Sequence, residues 1–460
     1  MELPASARIP ALVIDKVSKR ALEQLDQVEK FVQDRCLPAD VIYSKQLGRD
    51  HKVRFSTVPK ILDDLKAEAR QQGLWNLFLA KGHYAEGGGF SNLEYALMAE
   101  QLGQSYIASE TMNCSAPDTG NMEVLAKFGN SPQKAKWLAP LLDGKIRSAF
   151  LMTEPDVASS DARNIKFQIS KEGNEYVLNG SKWWSSGAGD PRCELYIVMG
   201  KTDAENPNPY QQQSVILVPA RTPGITVHRM LSVFGYDDAP HGHGHISFDN
   251  VRIPAENIVL GEGRGFEIIQ GRLGPGRIHH AMRCLGAAER ALDLVLARIH
   301  EPTKKPFGKM LHEQGSVLEK VAQARIDIDS SRLIVLNAAL KIDNGNAKLA
   351  LKEIAEAKIL VPNILGRILD FAIQVYGGAG VSQDTPLAYM WANARTMRIV
   401  DGPDEVHQAQ LGRLEARRAE GVRERLRKIK ALEATLAAQY KVQLTDALSL
   451  EWTSETKPKL

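Results

Sequence analysis

Cysteine is scarce here, four residues in 460, and Cys36, Cys114, Cys193 and Cys284 lie far apart with no CxxC pair. This spacing suggests neither a disulfide framework nor a zinc knuckle, and buried thiols in a reducing compartment are expected. Net charge is small as well, +3, which argues against nucleic acid as the main partner. No uninterrupted apolar run reaches the roughly 18 residues of a membrane span, so none is expected. The N-terminus lacks the basic-then-apolar order of a secretory signal. Met1 to Pro10 holds one arginine and one glutamate, a poor mitochondrial transit peptide. No internal repeat is evident. The final Pro458-Lys459-Leu460 differs only in its first residue from the peroxisomal Ser-Lys-Leu address. Peroxisomal import is the expectation, with the mitochondrial matrix or cytoplasm as alternatives.

What is present is ample core, 43% apolar, at a length that allows about three domains. Apolar positions recur at helical spacing from about residue 11 to 145, as in Leu62, Leu65 and Ala69 and in Leu93, Ala96 and Leu97. Gly87–Phe90 and Pro117–Gly120 read as loops. Between about 148 and 260 short runs separated by turn residues, 167–169, 176–178, 195–199 and 215–218, indicate a β-barrel or sandwich. Long helices return after Gly265. Pro275 and its glycines suit a helix start, followed by helices over 278–300, 312–343, 347–375 and 404–437, which most simply form a four-helix bundle. The expected fold is therefore α+β: an N-terminal α-helical domain (1–147), a β domain (148–262), a C-terminal helical bundle (263–437) and a mobile tail (438–460). The basic stretch from Arg413 to Lys430 is interleaved with glutamates and reads as a solvated helix face.

The most informative residues are 151–187, where Met152-Thr153-Glu154-Pro155 precedes a strand ending in Lys182-Trp183-Trp184-Ser185-Ser186. A flat aromatic ligand with one polar edge needs a stacking surface and a few edge hydrogen bonds. In an extended strand Trp183 and Trp184 face opposite sides, so one can stack, and Ser186 shares the face of Trp184. A flavin is the natural candidate; a Trp pair in a β core with surface serines is the alternative.

Those segments, with Phe248-Asp249-Asn250-Val251-Arg252-Ile253-Pro254 and Gln374-Val375-Tyr376-Gly377-Gly378-Ala379-Gly380, resemble the acyl-CoA dehydrogenase family over roughly residues 10 to 420. Residues 156–161, 232–236, 271–280 and 401–407 resemble the subgroup of animal members ten and eleven, without room for the kinase domain those relatives often carry. The resemblance implies FAD-dependent α,β-dehydrogenation of an acyl-CoA of medium to very long chain, hydroxylated chains included, in β-oxidation. A carboxylate takes the α-proton while hydride leaves the β-carbon for the flavin. Asp401 matches the family's usual Glu, one methylene shorter, and is followed by Gly402 at the substrate. A second base position used in some branches falls on Gly276. The enolate-like oxygen would meet the backbone N–H of Asp401 and a flavin ribityl hydroxyl.

By the same resemblance FAD lies against Met152, Thr153, Ser159, Ser160, Trp184 and Ser186, and Arg277 lies near substrate. Lys304 stands where an arginine usually reaches the neighbouring subunit's flavin, and Phe307, Gln374, Gly377 and Gly378 belong to that cross-subunit site. Pro403 and Glu405 replace the usual Thr and Gln near the adenosine half. A homodimer or homotetramer is implied. In His241-Gly242-His243-Gly244-His245, strand alternation would put three imidazoles on one face, yet the reaction needs no metal and none is assigned. Three function classes result: a dehydrogenase passing electrons to an electron-transfer flavoprotein, a peroxisomal flavin oxidase using dioxygen, and a non-catalytic flavoprotein that binds nucleic acid.

Overall fold

The computed structural model describes residues 3–80, 84, 86–345 and 349–444, apart from the side chains of residues 52 and 272–275. The Pro458-Lys459-Leu460 address and the end of the expected tail lie outside the described residues. Residues up to His407 form one unit and those from Gln408 a second.

Helical periodicity near the start becomes α1 (Lys19–Phe31), α2 (Leu37–Leu47), α3 (Lys60–Gln71), α4 (Asn92–Leu102) and α5 (Asp118–Phe128). Leu62, Leu65 and Ala69 of α3 are buried, as their spacing predicts. Ser91 and Glu94 close α4 with a reciprocal capping box. Pro117–Gly120 is not the expected loop, because α5 begins at Asp118. A proline is well tolerated at a helix start, where its missing N–H needs no partner.

The β region is one seven-stranded sheet: β1 (Arg147–Leu151), β2 (Gln168–Glu172), β3 (Glu175–Ser186), β4 (Cys193–Lys201), β5 (Gln213–Pro219), β6 (Ile225–Leu231) and β7 (His243–Pro254). Its order is β1-β4-β2-β3-β7-β6, with β5 also on β4. The period of two divides the strands between two cores. Leu195, Ile197 and Met199 of β4 join the helical core, while Tyr196 and Val198 join Tyr176, Leu178 and Phe248 in a core of the sheet's own.

After the sheet come α6 (Gly265–Ile299), α7 (Gly315–Asp343), α8 (Leu351–Tyr376), α9 (Leu387–Thr396), α10 (Asp404–Ala416) and α11 (Ala419–Tyr440). Helix α6 starts ten residues before Pro275, not at it. Ile268 and Ile269 are fully packed in the core, and that packing carries the helix through the Gly-Pro-Gly segment. The helix expected over 404–437 is two, broken at Arg417–Arg418 without a proline or glycine to mark the break. Three long helices, α6, α7 and α8, therefore pack on one another, with α9 against α8. Helix α8 is long and apolar enough to cross a membrane. Its buried Glu353 and Lys358 and its packing on α6 and α7 mark it as a core helix. In the second unit, α11 has no buried residue and pairs Glu424 with Arg427 and Lys428 on an exposed face. All four cysteines are free and buried.

Helices α4 and α6 cross at a glycine pair. A Cβ on Gly286 would lie 1.8 Å from the Glu100 carbonyl oxygen, and one on Gly103 would lie 2.0 Å from that of Arg283. Both obstacles are backbone, so the helices would have to part. Gly286→Ala is expected to destabilise by about 3 kcal/mol or more, read as a lower thermal midpoint. Gly366→Ala in α8, where a Cβ meets nothing within 4 Å, should be neutral or stabilising by up to about 1 kcal/mol. Equal midpoints for the two variants would contradict this reading of the crossing.

Candidate active site

Strand β3 carries the Trp pair, and its regularity fails there. Against β7, Lys182 faces Ile246 and Ser185 faces Gly244, so Trp183 and Trp184 together oppose one residue. Trp184 sits at φ +51°, and the residue is 41% exposed in a strand whose neighbours Lys182 and Ser185 are buried. The simple alternation argument is thus wrong in its geometry. Trp184 and Ser186 nevertheless meet at His243, whose ring centroid is 5.5 Å from that of Trp184 and whose Nδ1 is 2.9 Å from Ser186 Oγ.

The bulge is bolted to Met152–Ser159. Trp183 N–H donates to the Thr153 carbonyl at 3.0 Å, and Thr153 Oγ1 donates to the Trp183 carbonyl at 2.7 Å. Lys182, with no exposed side-chain surface, donates to the Met152 carbonyl and to Glu154 Oε1, both at 2.8 Å. Glu154 also accepts from the backbone N–H groups of Lys166 and Phe167. Burial pushes the Lys182 ammonium down to about 8, against the pull of Glu154. Ser159 Oγ spends its bonds on the Glu154 backbone, so its hydroxyl shapes the segment; Ser160 is exposed.

The second cluster surrounds Asp401, in the loop between α9 and α10. Asp401 lies at φ +56° and Gly402 at φ +101°; aspartate is among the few side chains enriched in that region. Arg277 on α6 donates to the Asp401 carbonyl from Nε at 3.2 Å and Nη2 at 3.0 Å. The buried Lys358 of α8 donates to the carbonyls of Met397 at 2.5 Å and Gly402 at 3.3 Å. Burial lowers its pKa, opposed by the charges of Asp401 and Asp404. His407 Nε2 lies 3.2 Å from the Asp401 carbonyl. Burial, with Arg277 adding to it, pushes this ring down to about 4, so it is neutral at physiological pH and Nε2–H is the donor. Arg398 Nε and Asn363 Nδ2 hold Asp404 Oδ2 at 2.7 and 3.0 Å. His280 Nε2 stands 3.6 Å from Asp401 Oδ2. Arg277 is accordingly placed on the loop's backbone. Pro403 and Glu405 belong to the same loop and the first turn of α10.

Lys304, Phe307, Gln374, Gly377 and Gly378 are elsewhere. Phe307, at φ +53°, has its side chain wholly in solvent, and Gln374, Gly377 and Gly378 are exposed. Tyr376 OH donates to the Leu294 carbonyl, and Arg298 stacks 5.0 Å from the Tyr376 ring. These residues therefore gather at the C-terminal end of α6. Arg277 lies twenty-one residues before Arg298 on that helix, about 31 Å at a rise of 1.5 Å. One chain does not bring the two groups together.

Sequence reasoning gave no role to Lys182, Glu154, Lys358, His407 or His280. Lys182 had a legible signal: it falls in phase with Tyr176 and Leu178, which face the sheet's core. The three histidines of 241–245 do not share a strand face, because Gly242 turns at φ +64° and β7 begins at His243. His241 instead bridges Glu110 and Asp190, at 2.8 Å each, in a buried cluster with Lys66, Arg147 and Arg192.

With this geometry in place, family profiles described as acyl-CoA dehydrogenase N-terminal, middle and C-terminal domains match residues 19–145, 149–251 and 263–414. The chain is 51% identical over 394 residues to acyl-CoA dehydrogenase family member 10 of Mus musculus, covering 85% of this chain and 36% of that protein. It is 50% identical over 403 residues to the probable acyl-CoA dehydrogenase FadE2 of Mycobacterium tuberculosis, covering 87% and 97%. The solved butyryl-CoA dehydrogenase from Megasphaera elsdenii superposes with a TM-score of 0.72 at 27% identity, covering 87% and 99%. The chain spans about half or less of the length of several curated relatives it matches.

Two expectations follow. Lys182→Met leaves Glu154 buried without its cation and should cost about 3–5 kcal/mol. The double variant with Glu154→Leu should recover part of that loss in thermal unfolding, and no recovery would contradict pairing as the cause. His241 is the second. Burial opposes its charge, but Glu110 and Asp190 outweigh it and raise the ring to about 9, from an ordinary 6.5. A raised pKa stabilises fully below pH 6.5, and the benefit is lost as pH rises through 9, on the order of 3 kcal/mol. Denaturant midpoints should fall over that window and flatten in His241→Gln. Parallel profiles would refute it.

Proposed function

The chain belongs to the acyl-CoA dehydrogenase family, and from that premise we propose that it is an FAD-dependent enzyme that desaturates acyl-CoA thioesters between Cα and Cβ. The carrying observation is a carboxylate, Asp401, whose loop is held from three sides by Arg277, Lys358 and His407. The residues fit a flavin. The Trp184 indole is uncovered beside Ser186, and Ile399 and Val400, next to Asp401, are 58% and 42% exposed. These are apolar faces that a planar ligand would cover.

Bound FAD supplies the hydride acceptor. Trp184, Ser186 and the backbone at Met152 and Thr153 are the residues that would hold it, and Asp401 would take the α-proton of the thioester. The Asp401 backbone N–H would donate to the thioester oxygen, and the clamp on the Asp401 carbonyl holds the next peptide, Asp401–Gly402, so that the backbone is anchored immediately after the donor. Arg277, by tying this carbonyl, sets the loop that faces substrate. The half-buried Lys304 and the exposed Phe307, Gln374, Gly377 and Gly378 would complete the cofactor site of a second copy, making the protein a homo-oligomer. Electron-transfer flavoprotein is the proposed acceptor. Medium to very long chains, hydroxylated ones included, rest on the subgroup resemblance alone.

Asp401→Asn keeps the backbone donor and removes the base. It should retain FAD and lose about 10²–10⁴-fold in turnover, the usual worth of a positioned base. Wild-type flavin reduction in this variant would overturn the assignment. Stoichiometric peroxide under air, without an electron-transfer flavoprotein, would show an oxidase instead.

A further inference from the structure

Helix α6 reaches Asp401 twice. Arg277 holds its carbonyl, and one turn later His280 stands with Nε2 3.6 Å from Oδ2, both side chains mostly buried at 24% and 20% exposure. Residues three apart share a helix face, so the face that fixes the backbone of Asp401 also meets its carboxylate. Three residues further, Arg283 Nη2 lies 3.3 Å from His280 Nδ1. A guanidinium only donates. Nδ1 must therefore accept, and the ring's hydrogen belongs on Nε2, the nitrogen nearest the carboxylate.

We propose that His280 is the positioning residue of the base, presenting its Nε2–H to Asp401 Oδ2 and so fixing the carboxylate's rotation about Cβ–Cγ. The inference rests on Asp401 being the base. The separation is a few tenths of an ångström beyond a hydrogen bond, which a small side-chain adjustment closes. Charged and titratable groups near this pair among the described residues include Arg277, His279 and Arg283 from α6, Lys358 from α8 and His407 from α10. Arg277, Lys358 and His407 bond carbonyl oxygens of the loop. A short aspartate side chain has little slack in reach, so the direction of its second oxygen decides whether the α-proton is met.

The test is anaerobic stopped-flow reduction of the full-length FAD-loaded protein, using the straight-chain acyl-CoA that reduces wild type fastest in a panel from butanoyl- to eicosanoyl-CoA. His280→Ala should slow flavin reduction by about 10–100-fold, the scale of a misplacement near 1 Å. Acyl-CoA affinity and thermal midpoint should be unchanged, with a larger α-deuterium isotope effect. His280→Gln, whose amide N–H reaches as far as Nε2, should restore most of the rate, and His280→Asn, which falls short, should not. That Gln-against-Asn contrast holds the test even if the alanine variant fails to fold. Equal rates for Gln and Asn, or a wild-type rate in the alanine variant, overturn the positioning role while Asp401→Asn stays inactive. A fully active Asp401→Asn would instead overturn the base itself.

Discussion

A lysine ammonium shut off from water must be surrounded by oxygen, and two lysines in this chain meet that demand with the backbone of irregular segments. Lys182, from the regular part of β3, takes the carbonyl of Met152 and the carboxylate of Glu154. Lys358, from the middle of α8, takes the carbonyls of Met397 and Gly402. A strand and a helix thereby fix the two stretches that have no ladder or helix of their own to hold them. The exposed Trp184 and the left-handed Asp401 are consequences, since each is a conformation that persists only where its surroundings determine it.

Helix α6 sets the scale of the site. Its N-terminal half meets Asp401 through Arg277 and His280, and its C-terminal end packs on Tyr376, next to Gly377, and leads into the segment with Lys304 and Phe307. The roughly 31 Å between Arg277 and Arg298 exceeds what any side chain spans. On the proposed reading the second group would serve another molecule, and a second copy is the economical choice because it would cover two such surfaces at once.

Much of this was legible in the residues. The α, β, α order followed from periodicity, and the buried thiols from cysteine spacing. Family resemblance singled out Asp401 and Trp184, which the structure places at left-handed backbone positions, while their roles remain proposals. Three kinds of feature were not legible. Helix α6 overruns Pro275 because Ile268 and Ile269 find the core, a tertiary effect that local propensity cannot register. The bulge at Trp183–Trp184 depends on pairing with β7, and Gly242 alone removes His241 from the histidine row. The partners of the Asp401 loop come from α6, α8 and α10, at sequence separations of 124, 44 and 6 residues, and no one spacing rule joins them.

The central claim is that the two held segments serve one chemistry. Its most direct measurement is anaerobic addition of saturated acyl-CoAs to the purified FAD-containing protein while following the flavin absorbance. The account expects at least one chain length to bleach the flavin in stoichiometric amount with formation of the 2-enoyl-CoA. A folded, fully FAD-loaded protein whose oxidised spectrum is unchanged by every acyl-CoA in the panel would contradict it.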